Sequence, residues 1–365
     1  MSGFRPSPCD PNIAGICFAF GALASITLTK AGQQRRQVKT PGTKRRMTDL
    51  FHDTADNPRP ENAAGGFFTT RDGKTIRYGL FAPVARPIRG TVVLLGGRNE
   101  CIEKYFETIR DLSARGFGVA TLDWRGQGDS SRLIRDRQRG HVRSFRDYSA
   151  DLEQFFEEIV LPDCRGPYYI LAHSAGAVIA LLASPSMVNR VRRMVLIAPF
   201  LMLPDLPVSI RTIRRVCTFF CAFGLGRLYA AWGPRPRHTL PFEANKVTTD
   251  PRRYRRNTRI YEENPGMALG GPTIRWLQAA AKASEAVCDP DFMAGIQVPL
   301  LIIAAGNDQV VSTRAVEAYA RRLRLGSMLM IDGAKHEILQ EVDLYREQFL
   351  AAFDAFIPGS DDPTA

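Results

Sequence analysis

Residues 170–177 read Ile170-Leu171-Ala172-His173-Ser174-Ala175-Gly176-Ala177, and the fold follows from them. An apolar run stops at a serine, and small residues begin at once. Tyr168–Ala172 has the composition of a buried strand, and Ala175–Ala183 that of a small-residue helix. A serine at such a junction sits on a sharp strand-to-helix turn that presents its hydroxyl. The turn closes only if the residues two before and two after are small. Gly176 meets that demand, and Ala172 adds a single methyl to the glycine usual there. A plain helix-capping serine is the alternative reading of this junction.

Outward from that turn, strands and helices alternate. Phe67–Thr70 and Thr75–Phe81 flank Asp72-Gly73 as a hairpin. Thr91–Leu95, Gly118–Leu122, Met194–Ala198, Val298–Ala304 and Met328–Ile331 read as further strands. Ile102–Ala114, Phe145–Val160, Arg314–Leu323 and Leu344–Phe356 read as helices. The alternation predicts an α/β fold, with a mostly parallel central sheet covered by helices on both faces. Residues 200–297 interrupt it. A structureless loop of that length is rare in a compact domain, so the stretch is expected to be an inserted helical cap, with Ile210–Leu228 as one helix.

The chain has 365 residues, 45% hydrophobic and 24% charged, which excludes a disordered or fibrous protein. The net charge of +12 is uneven: +7 falls in residues 1–46, +6 in 200–297, and −1 in the rest. A basic excess outside the sheet counts against nucleic acid as a partner and leaves a membrane surface open. Seven cysteines, an odd number without a C-x-x-C pair, argue against a disulfide framework or a zinc site. Ile13–Thr29 is a 17-residue apolar run at the lower limit for a spanning helix. The Lys/Arg-dense flank that follows is expected to stay on the cytoplasmic side. Residues 1–46 are therefore read as an extension, either a membrane anchor or a segment ahead of a working start at Met47. The main domain, 47–365, is expected in the cytoplasm, at the inner face of the membrane if the run inserts. Oligomeric state is not assigned.

A nucleophilic serine needs a base and a group that orients the base. Of five histidines, His52 and His141 precede the serine, His238 lies in the insertion, and His173 neighbours Ser174 on a strand and points to the opposite face. His336, just past the last strand, is the expected base. Asp308 follows the preceding strand, with Gly306 permitting the turn that aims it, and is the expected acid; Asp332 and Asp205 are the alternatives. The oxyanion that forms on attack needs N–H donors. The backbone of Ala175 supplies one, and the loop Gly96-Gly97-Arg98-Asn99 supplies the other, from Arg98 first and Gly97 next. Such chemistry needs no metal and no cofactor.

Taken together, Ala172-His173-Ser174-Ala175-Gly176, Asp123-Trp124-Arg125-Gly126-Gln127-Gly128, Gly306-Asn307-Asp308 and Gly333-Ala334-Lys335-His336-Glu337 resemble an α/β-hydrolase. Within that fold they resemble the monoacylglycerol lipase and bacterial lysophospholipase group, the serine aminopeptidase-like hydrolases. Gly97-Arg98-Asn99-Glu100 followed by Glu103-Lys104-Tyr105 is particularly similar to the bacterial lysophospholipases. The resemblance covers roughly residues 60–357. It implies serine-dependent hydrolysis of a lipid ester, an acylglycerol or a lysophospholipid. Phe219, Phe220, Phe223 and Trp232 are then expected to contact the acyl chain, and Arg211, Arg214, Arg215 and Arg227 to meet phosphate head groups. The same segment also suits an interfacial helix or plain packing. Arg252-Arg253-Tyr254-Arg255-Arg256 reads as a solvated basic face. Two other functions stay open: an aminopeptidase or small-ester hydrolase, and a non-catalytic lipid-binding module.

Overall fold

The computed structural model describes residues 50–204, 208–230, 233 and 240–357. Eight strands form one sheet in the order β1-β2-β4-β3-β5-β6-β7-β8. They are β1 (Ala63–Thr69), β2 (Thr75–Phe81), β3 (Gly90–Leu95), β4 (Phe117–Leu122), β5 (Tyr168–His173), β6 (Val191–Ile197), β7 (Leu300–Ala305) and β8 (Gly326–Ile331). β1 and β2 pair antiparallel as the expected hairpin, and β2 meets β4 antiparallel; every pairing from β4 through β3 to β8 is parallel. Every residue of β3, β4 and β7 is buried. That is why these strands read as continuous apolar runs rather than alternating ones.

The layers come from α1 (Phe106–Ala114), α2 (Phe145–Phe155, continuing through a π turn), α3 (Ala175–Met187), α4 (Ile210–Ala222), α5 (Pro251–Glu263), α6 (Ile274–Val287), the short α7 (Pro290–Ala294), α8 (Thr313–Ala320) and α9 (Asp343–Phe356). α3 is buried nearly all round, because Ala and Gly let it lie close to the sheet. α1 and α9 are joined by Arg346–Asp111 at 2.5 Å and, just past α1, by Arg115–Asp354 at 3.1 Å.

The segment between β6 and β7 holds α4 to α7. α6 is tied to the main core, since Trp276, Ala279, Ala280, Ala283 and Val287 belong to it. The expected helix 210–228 is shorter than the apolar pattern suggests. It stops at Ala222, and Gly224 takes φ 78, a left-handed conformation that ends a helix at low cost in glycine. The run 252–256 also departs from expectation: Arg253 and Arg256 are buried, because carboxylates from the core come to meet them. Among the described residues no helix is long and apolar enough to cross a membrane. Residues 1–46, with the apolar run, lie outside the described residues.

Candidate active site

Parallel register brings the strand ends to one edge. Leu95 pairs with Ala172, His173 with Ile197, and Ala305 with Ile331, so the loops after β3, β5, β7 and β8 leave the sheet side by side. Such an edge is where open α/β sheets build their sites. Ser174 stands at the exit of β5 with φ 54 and ψ −115. A non-glycine residue held there stores on the order of 1–3 kcal/mol of strain. Its backbone is clamped on both sides: its N–H donates to the Ile197 carbonyl at 2.9 Å, and its carbonyl accepts from the Phe200 N–H at 3.1 Å. Gly176 makes the closure feasible, since a Cβ there would lie 2.5 Å from the Gly96 carbonyl oxygen.

The loops after β7 and β8 deliver Asp308 and His336 to that serine. His336 Nε2 is 2.9 Å from Ser174 Oγ, and His336 Nδ1 is 2.8 Å from Asp308 Oδ2. Asp308 Oδ1 accepts from the N–H groups of Val310 and Val311 at 2.7 and 2.9 Å, which fixes the carboxylate plane. Burial works against the charge of Asp308, yet His336 and these two amides outweigh it and hold the carboxyl below its usual range. An ionised Asp308 takes the proton of Nδ1–H as a hydrogen bond. Nε2 is then the unprotonated nitrogen and accepts from the serine hydroxyl. Of the alternative acids, Asp332 is exposed on the turn after β8, and Asp205 lies outside the described residues.

Behind this trio is a buried charged network that sequence reading did not assign. Glu100 accepts from Tyr105 Oη at 2.5 Å and Lys104 Nζ at 2.8 Å, and Lys104 also pairs with Glu337 at 2.7 Å. Glu100 faces His173 Nδ1 at 3.1 Å, while His173 Nε2 lies 3.1 Å from the carbonyl oxygen of His336. A ring facing a carboxylate on one side and a carbonyl on the other satisfies both only when both nitrogens carry protons. Burial pushes the His173 imidazole down, but Glu100 more than reverses it, so the group is raised. Burial likewise opposes the charge on Glu100, and Lys104 with His173 holds it well below the usual carboxylate range. Glu100 also takes the N–H of Gly97. One carboxylate thus links the loop after β3 to the backbone of His336. In the sequence, Glu100 stands four before Lys104, in the Gly97-Arg98-Asn99-Glu100 stretch that carried the resemblance, but nothing there marks the pair as buried.

The expected donors fare differently. The Gly97 N–H is committed to Glu100, which removes it as the second choice for the oxyanion. Gly97 still matters by being small: a Cβ there would lie 3.1 Å from that of Ser174. Ala175 opens α3, where the first N–H groups have no intrahelical acceptor. The Arg98 side chain reaches the Gly270 carbonyl and lies 5.5 Å over the Trp276 ring. Phe219 on α4 and Phe223 just past its end are 60% and 68% exposed, with ring centroids 4.8 Å apart, and Phe220 is half-buried. Trp232 and His238 lie outside the described residues. His52 is bound to Asp129 at 2.7 Å, and His141 Nδ1 to Thr273 Oγ1 at 3.0 Å.

Residues 86–343 match the model of a family described as serine aminopeptidase, S33. The chain belongs to that family of hydrolases. It is 34% identical to lysophospholipase L2 of Escherichia coli over 81% of this chain and 88% of the relative. It is 30% identical to a probable lysophospholipase L2 of Haemophilus influenzae over 74% of this chain and 84% of the relative. A soluble variant of monoglyceride lipase from Saccharomyces cerevisiae, solved with a substrate analogue, superposes with a TM-score of 0.63 at 19% identity, covering 80% of this chain and 94% of that one. At that identity the superposition speaks for the fold, and this family member has the α/β-hydrolase fold.

Proposed function

We propose that this hydrolase cleaves the acyl ester of a lysophospholipid or a monoacylglycerol, with Ser174 as nucleophile, His336 as base and Asp308 as the group that orients it. The chain is a carboxylic ester hydrolase. The observation that carries the residue roles is the contact chain Ser174–His336–Asp308, at 2.9 and 2.8 Å, on a strained strand-to-helix turn. Ser174 Oγ attacks the ester carbonyl while His336 Nε2 takes its proton. The oxyanion that develops is held by the Ala175 and Arg98 amides. His336 then returns the proton to the leaving alcohol, and water, activated by the same ring, releases the fatty acid. Asp308 keeps the imidazole in the right tautomer and faces the positive charge it acquires. The lipid substrate is supported by the kinship with lysophospholipases, and the basic cap and extension support work at an inner membrane surface. A cap whose basic residues outnumber its acidic ones disfavours an aminopeptidase, which would need a carboxylate to hold a substrate amine.

The test is hydrolysis of a lysophospholipid and a monoacylglycerol of the same chain length by the full chain, with Ser174→Ala alongside. Removing the nucleophile is expected to lower kcat by up to about a million-fold. Its thermal unfolding stays at or above that of the parent, because the strain at φ 54 does not depend on the hydroxyl. Undiminished turnover by Ser174→Ala, or failure of the parent to react with a fluorophosphonate, ends this reading.

A further inference from the structure

The relatives leave one question open that the structure addresses: whether the lipid carries a phosphate. Where the cap meets the loop before α2 there is a cavity of about 230 Å³ lined by His141, Arg143, Arg227 and Arg275. It is smaller than the ~300–1,000 Å³ that encloses a whole drug-sized ligand, so it suits one part of a larger molecule. No carboxylate among the described residues lines it. Among the described residues none of the three arginines has an ion-pair partner; Arg275 donates only to Gln278, at 2.9 Å. Burial and then these same arginines drive the His141 imidazole down to about 4. At neutral pH it lines the cavity as an uncharged hydrogen-bonding group. The carboxylates of Asp72 and Asp147 lie across Arg143 and Arg275 in an adjoining hollow, and Asp72 is already paired with Arg125 at 2.8 Å.

The cavity is also wired to the reacting serine. Gly97 lies against Ser174, and the next residue, Arg98, extends its guanidinium to Gly140 and over Trp276. His141 follows Gly140, and Arg275 precedes Trp276. The seam is locked by main-chain bonds, Thr273 N–H to the Gly140 carbonyl at 2.8 Å and Gly140 N–H to the Gly271 carbonyl at 3.2 Å. The cavity is thus at the far end of Arg98 from Ser174. The atoms between the ester carbonyl and the phosphorus of a lysophospholipid form a chain about as long as an arginine side chain. Three guanidinium forks match a tetrahedral oxyanion, whereas the free glycerol end of a neutral lipid has no use for them.

We infer that the cavity formed by Arg143, Arg227 and Arg275 is a phosphoryl site, and that it takes the head-group phosphate of the substrate whose ester sits at Ser174. This rests on the ester-hydrolase reading above. The full chain and its Arg227→Gln/Arg275→Gln and Arg143→Gln variants are compared on lysophosphatidylcholine and a monoacylglycerol of the same acyl chain. The ratio of the two kcat/KM values is the readout. The ratio falls at least tenfold in the double variant, since charge-assisted bonds to an anion are lost for one substrate only. The exposed Arg143→Gln shifts it the same way by less and guards against misfolding of the double variant. Calorimetric titration of inorganic phosphate into the Ser174→Ala protein separates the sources. Phosphate binding that the arginine variants abolish, with the ratio unmoved, keeps the phosphoryl site and assigns it to free phosphate. An unmoved ratio together with no phosphate binding overturns the inference. If the parent hydrolyses neither lipid, it is the ester-hydrolase reading that fails, and the phosphate titration still decides the site.

Discussion

Helices α4 and α5 make an instructive pair. Both are thirteen residues long, both are strongly basic, and both lie between β6 and β7. Their fates differ. On α5, Arg253 meets Glu107 at 2.6 Å, Asp250 at 2.8 Å and Asp343 at 2.6 Å, and Arg256 meets Glu107 at 2.5 Å. Glu107 also receives Arg346 of α9 at 3.2 Å. Ile260 and Tyr261 close a small apolar cluster with Cys101, Met267 and Ala268. Among the described residues α4 has one such tie, Arg214 to Glu285 at 2.6 Å, and Val216, Phe219 and, just past its end, Phe223 face solvent. α4 still packs along α6, so arginine density does not decide whether the arginines of a docked helix are buried. The supply of carboxylates on the opposing surface does, because a guanidinium leaves water only where fixed acceptors replace it.

The contrast can be broken in three ways, from the largest effect down. Ile260 is fully buried, so Ile260→Ala should cost about 3 kcal/mol, whereas Phe219→Ala on α4 should stay within ~0.5 kcal/mol. Urea unfolding midpoints at constant m measure both, and equal losses would show that α4 is as firmly packed as α5.

Glu107→Ala strips one acceptor from three arginines and should cost about 2–3 kcal/mol. The half-exposed pair on α4, tested by Arg214→Ala, should cost below ~1 kcal/mol. A Glu107→Ala protein as stable as its parent would mean that the network merely fills space.

The pH dependence reads part of that same interaction. Burial disfavours the charge of Glu107, but Arg253, Arg346 and Arg256 reverse this and bring its carboxyl from 4.5 down to about 2. A carboxyl depressed on folding contributes stability that is whole above 4.5 and is lost as the pH falls toward 2. Acid unfolding of the parent should therefore be steeper across that window than that of Glu107→Gln, with Arg214→Ala following the parent. Parallel curves for parent and Glu107→Gln would refute the assignment.

The alternation of apolar runs and helical patterns made the α/β-hydrolase fold legible, because a sheet buried on both faces leaves a continuous apolar signature in each strand. Ser174, Asp308 and His336 were legible for a related reason. Their positions follow from where strands end, and strand ends are marked by Gly306, Gly333 and the small residues around Ser174. The Glu100 network was hidden. Its members belong to the loop after β3 (Glu100), the short turn that follows it (Lys104), the end of β5 (His173) and the loop after β8 (Glu337), and no local pattern marks a charge as buried. Arg253 and Arg256 misled for the same reason, since their partners Glu107 and Asp343 are far away in the chain.

The sequence by itself determined the order of the elements, the strand-to-helix turn at Ser174, and which side chains stand at the sheet edge. These depend on short-range periodicity and on steric limits within a few residues. The tertiary structure alone decided which charges are buried, which of two basic helices buries its arginines, and that Gly97 donates to Glu100 rather than standing ready at the site. Those outcomes depend on desolvation balanced against partners distant in sequence, and that balance exists only once the chain has brought them together.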